Sequence, residues 1–82
     1  MLFLPKEIVE KIKKDYPSGT RVELIRMNDP YRKIPTGTKG TVDGVDDIGT
    51  IHVSWDNGYH LGVAYGEDSC RILTEHESEK DK

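Results

Sequence analysis

Between Gly37 and Leu73 the chain is a succession of short alternating segments cut by glycine turns. Gly-Thr-Lys-Gly-Thr-Val is followed by Val-Asp-Asp-Ile-Gly-Thr-Ile-His-Val-Ser-Trp-Asp-Asn-Gly and then by Gly-Glu-Asp-Ser-Cys-Arg-Ile-Leu. Apolar residues two apart, in runs too short for a stable helix, call for strands with one buried face. Turns this frequent set consecutive strands antiparallel to one another. Thr50 to Trp55 is the clearest strand, with Ile51, Val53 and Trp55 on one face and Thr50, His52 and Ser54 on the other. Asn57-Gly58 reads as a two-residue type I′ hairpin turn, because both residue types tolerate positive φ, and Tyr59 to Ala64 pairs back.

The same alternation places a first strand over Arg21 to Met27, with Val22 and Leu24 inward, and a second over Gly40 to Val45, with Gly44 as a bulge. Asp46-Asp47-Ile48-Gly49 turns the chain, and Cys70 to Leu73 supplies a short closing strand. Upstream, Ile8, Val9 and Ile12, with Leu4 before and Tyr16 after, fall on one side of a helix over Pro5 to Asp15. Pro5 suits the first helical position, and Glu7 with Lys11 and Glu10 with Lys14 are spaced as i,i+4 pairs. Tyr16-Pro17 ends the helix, since a residue before proline is driven out of the α region. The expected architecture is mainly β: a small five-stranded SH3-like barrel over residues 17–73, an N-terminal amphipathic helix over 1–16 packed on it, and a disordered polar tail over 74–82. An oligonucleotide-binding barrel commonly carries a helix between its third and fourth strands, and Asn57-Gly58 leaves no room for one.

A chain of 82 residues holds one domain with a modest core. Its net charge of -3, with both signs mixed along the sequence, argues against sequence-independent coating of nucleic acid. The single cysteine, Cys70, excludes an internal disulfide. No stretch approaches the roughly 20 apolar residues of a membrane span. The opening Met-Leu-Phe-Leu-Pro lacks the long apolar run of a signal peptide, so the expected location is the cytoplasm.

The three segments quoted above, with Gly19-Thr20-Arg21-Val22-Glu23-Leu24 and Pro30-Tyr31, resemble a family catalogued as domain of unknown function 4314, small proteins of phages and mobile elements of Firmicutes. The resemblance covers about residues 17 to 73. It implies an SH3-like fold and residence in a bacterial virus or mobile element, and it supplies no activity, ligand or catalytic residue.

Function is therefore sought in irregular chain. The long connection from Asn28 to Gly37 carries Tyr31, Arg32 and Lys33, an aromatic ring beside two cations that suits a phosphate or a nucleobase. Trp55, Asn57, Tyr59 and His60 on the hairpin, and Tyr65 in the last turn, are expected to face that loop and complete a ligand-binding surface. For Trp55 to Gly58 the favoured account is the structural one, with Trp55 in the core beside Ile51 and Val53 and Asp56-Asn57-Gly58 making a turn. Cys70, His52, His60 and His76 lack metal-ligand spacing, and Asp46-Asp47 and Glu67-Asp68 sit where acidic residues satisfy turn backbone, so neither metal nor cofactor is expected. Gly37-Thr38-Lys39-Gly40-Thr41 precedes no helix and so lacks what a phosphate-binding loop needs.

The expected function is that of a non-enzymatic binding module of a phage or mobile element, a counter-defence protein engaging a host protein or a small anionic, nucleotide-like ligand in the bacterial cytoplasm. An RNA- or DNA-binding barrel is the alternative. No motif gathers a nucleophile, base and orienting group for an enzyme. The apolar start Leu2, Phe3 and Leu4 predicts a homodimer or larger assembly that covers it.

Overall fold

The computed structural model of the chain describes residues 4–28, 34–74 and 76–77. Helix α1 (Lys6–Asp15) begins one residue later than the apolar spacing suggests, with Pro5 as its N-cap. The Pro5 carbonyl accepts the N–H groups of Ile8 and Val9 at 3.0 and 3.2 Å, so its missing N–H is not needed. The expected Glu7–Lys11 and Glu10–Lys14 pairs are not formed. Lys11 reaches Asp15 at 2.7 Å instead, and Lys13 leaves the helix to meet Asp47 at 2.8 Å. Val9 and Ile12 are buried, and Leu4, Ile8 and Tyr16 pack beside them on the core. Leu4 therefore serves its own domain, while Leu2 and Phe3 lie outside the described residues.

Strands β1 (Arg21–Arg26), β2 (Lys39–Val45), β3 (Ile51–Trp55), β4 (His60–Val63) and β5 (Ser69–Ile72) form one antiparallel sheet in the order β4-β3-β2-β1-β5. Inward residues from every strand and from the returning end of the long connection build the core, with Val22, Leu24, Ile34, Val42 and Val53 fully buried. Two irregularities bend the sheet. The β2–β3 register slips between Val42 and Gly44, where a bulge was expected, and the β1–β5 register slips between Leu24 and Arg26, beside Ile25, which alternation already sets on the outer face.

Gly40 stands opposite Trp55, and a Cβ there would lie 2.6 Å from Val53 Cγ1 and 2.9 Å from Trp55 Cε3. The absence of a side chain at Gly40 is what leaves room for the indole against β2.

The β3–β4 turn is not type I′. No described residue other than glycine has positive φ, so Asn57 is in ordinary backbone and Gly58, at φ 96°, carries the left-handed position alone. Gly58 N–H donates to Trp55 O at 2.9 Å and Trp55 N–H to Tyr59 O at 2.8 Å, the pattern of a type I turn followed by a glycine bulge. One glycine suffices to restore the strand twist, so Asn57 need not be strained.

The sheet is not closed on itself. β4 and β5 are its two edges, and no ladder joins them among the described residues. Ile72 shares the inward face with its partner Val22, yet it remains 45% exposed because nothing pairs beyond β5. The expected barrel is thus a curved open sheet, with α1 packed across it. The expected solvated tail is also partly held. Thr74 and Glu77 form a capping box, Thr74 Oγ1 accepting Glu77 N–H and Glu77 Oε1 accepting Thr74 N–H, both at 3.1 Å. Arg71 joins Glu77 to Glu23 across the outer face.

Candidate functional site

A concavity of the described chain lies on the open side of the sheet. A cleft of about 570 Å³ lies between α1 and the ends of β4 and β5. Its apolar lining comes from Ile8 and Ile12 on α1, Ile51 and Val63 on the sheet, and the rings of Tyr16 and Tyr65. Its polar lining comes from Lys11, Asp15, Arg26, Asp68 and Ser69, with Cys70 in the wall. Each is placed by a local rule. Tyr16 is the C-cap, its N–H returning to Ile12 O at 2.9 Å, so the ring continues the apolar face of the helix. Tyr65 occupies the turn that follows β4, where Glu67 N–H closes on Ala64 O at 3.2 Å and Gly66 takes φ 86°.

Asp68 fastens this corner. Its Oδ1 accepts Asn28 N–H at 2.8 Å and its Oδ2 accepts Ala64 N–H at 3.0 Å. One carboxylate thereby ties the stem of the long connection to the turn after β4. Arg26 adds a second tie, donating to Glu67 O at 3.1 Å. Burial pushes the Cys70 thiol up to about 11, so at neutral pH the cleft wall presents a neutral S–H rather than a nucleophilic thiolate.

The outward face of the sheet carries a separate polar row. Ser54 Oγ donates to Asp43 Oδ2 at 2.7 Å and lies 3.0 Å from His60 Nδ1. A hydroxyl has one proton, so His60 Nδ1–H is the donor in the second bond. The serine thus sits between acid and imidazole, whereas a catalytic triad needs the imidazole in the middle. His52 Nε2 meets Asp46 Oδ2 at 2.8 Å. Burial pushes the Asp46 carboxyl up, but the His52 bond and the N–H groups of Thr50 and Ile48 outweigh it and hold the carboxyl below its ordinary range. Asp46 is a turn residue first, as its position in the sequence suggested.

The expected ligand surface is divided by this geometry. Tyr31, Arg32 and Lys33 lie outside the described residues. Trp55 is 3% exposed and its Nε1–H donates to Leu61 O at 3.0 Å, so the ring fills the core and offers no face for stacking. Asn57 Oδ1 accepts Tyr59 N–H at 3.3 Å within the turn. Asn57, Tyr59 and His60 stay together at the hairpin end of β4. Tyr65 follows the other end, roughly 15 Å away along extended backbone, and belongs to the cleft. Sequence reasoning placed Tyr16 on the helix face and Cys70 in the closing strand, but it did not join them with Arg26, Asp68 and Ser69. Those residues meet only where the two sheet edges stay apart.

The model of the family described as "Domain of unknown function (DUF4314)" matches residues 5–73, which takes in α1 and the whole sheet. The chain belongs to the DUF4314 family. In this member, the matched span contains every residue that lines the cleft. No curated protein matches the chain.

Proposed function

We propose that this DUF4314 protein is a non-enzymatic binding module, and that the cleft between α1 and the open side of the sheet is its working surface. The observation that carries the reading is a pair of sheet edges left apart around an apolar floor, with two tyrosines and a few polar groups at the rim. A four-strand meander with β5 returning to β1 supports grouping the sheet with SH3-like barrels, opened between its fourth and fifth strands. The setting implied by the resemblance, a phage or mobile element acting in the bacterial cytoplasm, supplies the partner classes: a host protein or a small anionic ligand, and a counter-defence role. A small ligand is favoured over nucleic acid by the outer face, where Arg21 is bonded to Asp56 and Arg71 to Glu23 and Glu77. Cations held this way present no continuous basic path for a phosphate backbone.

The test is a comparison of full-length protein with Tyr65→Ala and Tyr59→Ala variants, all incubated with extract of the bacterial host and re-isolated. Mass spectrometry of the released small molecules, with amide shifts of the unlabelled-ligand complex, reads out occupancy. The reading expects a retained component lost in Tyr65→Ala and kept in Tyr59→Ala. Equal retention by Tyr65→Ala, or no component that shifts cleft amides, would sink it.

A further inference from the structure

The cleft lining presents hydrogen-bond donors with few acceptors left to meet them. Of its two carboxylates, Asp68 has an oxygen on each of the Asn28 and Ala64 N–H groups, at 2.8 and 3.0 Å. Asp15 receives Lys11 Nζ at 2.7 Å. Arg26, by contrast, makes one bond among the described residues, to Glu67 O, while a guanidinium carries five donors in a rigid fork. Tyr16, Tyr65 and Ser69 are among the residues that line the same space, and their hydroxyls make no side-chain hydrogen bond among the described residues. Arg26 and Ser69 are also register partners at the end of the β1–β5 ladder, so the two residues stand opposite one another across the two strands.

We infer that the cleft takes a small molecule with a planar or apolar body bearing one phosphate or carboxylate, the body against Tyr16, Tyr65, Ile8 and Ile12, the anionic group on Arg26 and Ser69. The inference rests on the cleft being the working surface, as proposed above. Its physical basis is complementarity. A neutral or cationic guest would leave the Arg26 fork unmatched, and would find both oxygens of Asp68 and one oxygen of Asp15 already engaged. An anion fills the fork with two parallel bonds, the geometry for which arginine is better suited than lysine. The apolar floor and the rings supply a site for the uncharged part, and about 570 Å³ is the size of an ordinary small-molecule site.

Phenyl phosphate, benzoate and benzyl alcohol, titrated separately into the isotope-labelled full chain at low salt, share one ring and differ in the group it carries. Both anions are expected to shift the amides of Gly66 and Ser69 and to bind about ten-fold more tightly than the alcohol, a gain that added salt reduces. The stronger of the two anions identifies phosphate or carboxylate as the preferred head. Arg26→Gln is expected to remove about ten-fold of the anion's affinity and leave the alcohol's unchanged, as is Ser69→Ala to a smaller degree. Trp55 fluorescence confirms that each variant is folded. Equal affinity for anion and alcohol at the cleft would overturn the anion assignment while leaving the cleft as a binding surface. Shifts elsewhere, or none, would overturn it too, and the extract experiment then decides the cleft itself.

Discussion

Asp68 holds Asn28 from across the fold, its Oδ1 accepting the Asn28 backbone N–H at 2.8 Å while its Oδ2 holds Ala64 at 3.0 Å. The two residues are forty positions apart in sequence. The bond decides where the long connection leaves the sheet, beside the cleft. Asp68→Ala removes the acceptor of both N–H groups and is expected to cost about 2 kcal/mol of folding free energy. Urea denaturation monitored by the single tryptophan measures it, and an unchanged midpoint would show the clamp to be idle.

Gly40 and Gly44 share strand β2 and should respond very differently to a methyl group. At Gly40 the new Cβ would meet Val53, Trp55 and the Ser54 carbonyl at 2.6 to 3.0 Å, so Gly40→Ala is expected to cost about 1–3 kcal/mol by overpacking. At Gly44 nothing lies within 4 Å, and Gly44→Ala should stay within about 0.5 kcal/mol of the parent. Thermal or urea unfolding of the two variants side by side is the measurement.

The Arg71–Glu77 latch should open in acid. Arg71 foremost, then the Thr74 N–H, hold the Glu77 carboxyl down at about 2, against an ordinary 4.5. A depressed carboxyl contributes fully above its unfolded value and loses its contribution as pH falls through its folded one, here between about 4.5 and 2. Side-chain carboxyl NMR should show Glu77 titrating late. In Arg71→Ala it should return toward its ordinary range, and an unmoved titration would show that the arginine is not the cause.

Cys70 should be slow to alkylate in the native protein. Its thiol is raised from 9.0 to about 11 by burial, so the group is neutral in both folded and unfolded chains below pH 9 and has no effect there. As pH rises from 9 toward 11 the unfolded thiol ionises first, and stability declines. Iodoacetamide labelling at pH 8 should run far more slowly on native than on urea-unfolded protein. Equal rates would place the thiol in open solvent.

The strands, their inward faces and the helix could be read from residues two or three and four apart, because burial periodicity is a local property of sequence. The bulge at Gly44 and the turn role of Asp46 were equally legible. The Thr74-Glu77 capping box was also written in the chain, as a threonine followed three residues later by glutamate, but the surrounding charges disguised it as tail. The type I′ assignment of Asn57-Gly58 failed because the dipeptide also suits a longer loop, and strand twist, set by the whole sheet, selects between them.

The sequence by itself determined that this chain is one helix and five short antiparallel strands around a core that includes Val22, Leu24, Ile51 and Val53, and that its family is DUF4314. Only the tertiary structure decided that β4 and β5 remain apart and that Tyr16, Arg26, Tyr65 and Ser69 line one cleft. Alternation specifies which face of a strand is buried. Whether two edges meet depends on the summed twist, the bulges at Gly44 and Ile25, and the helix packed across the opening, none of which any short stretch of sequence encodes alone.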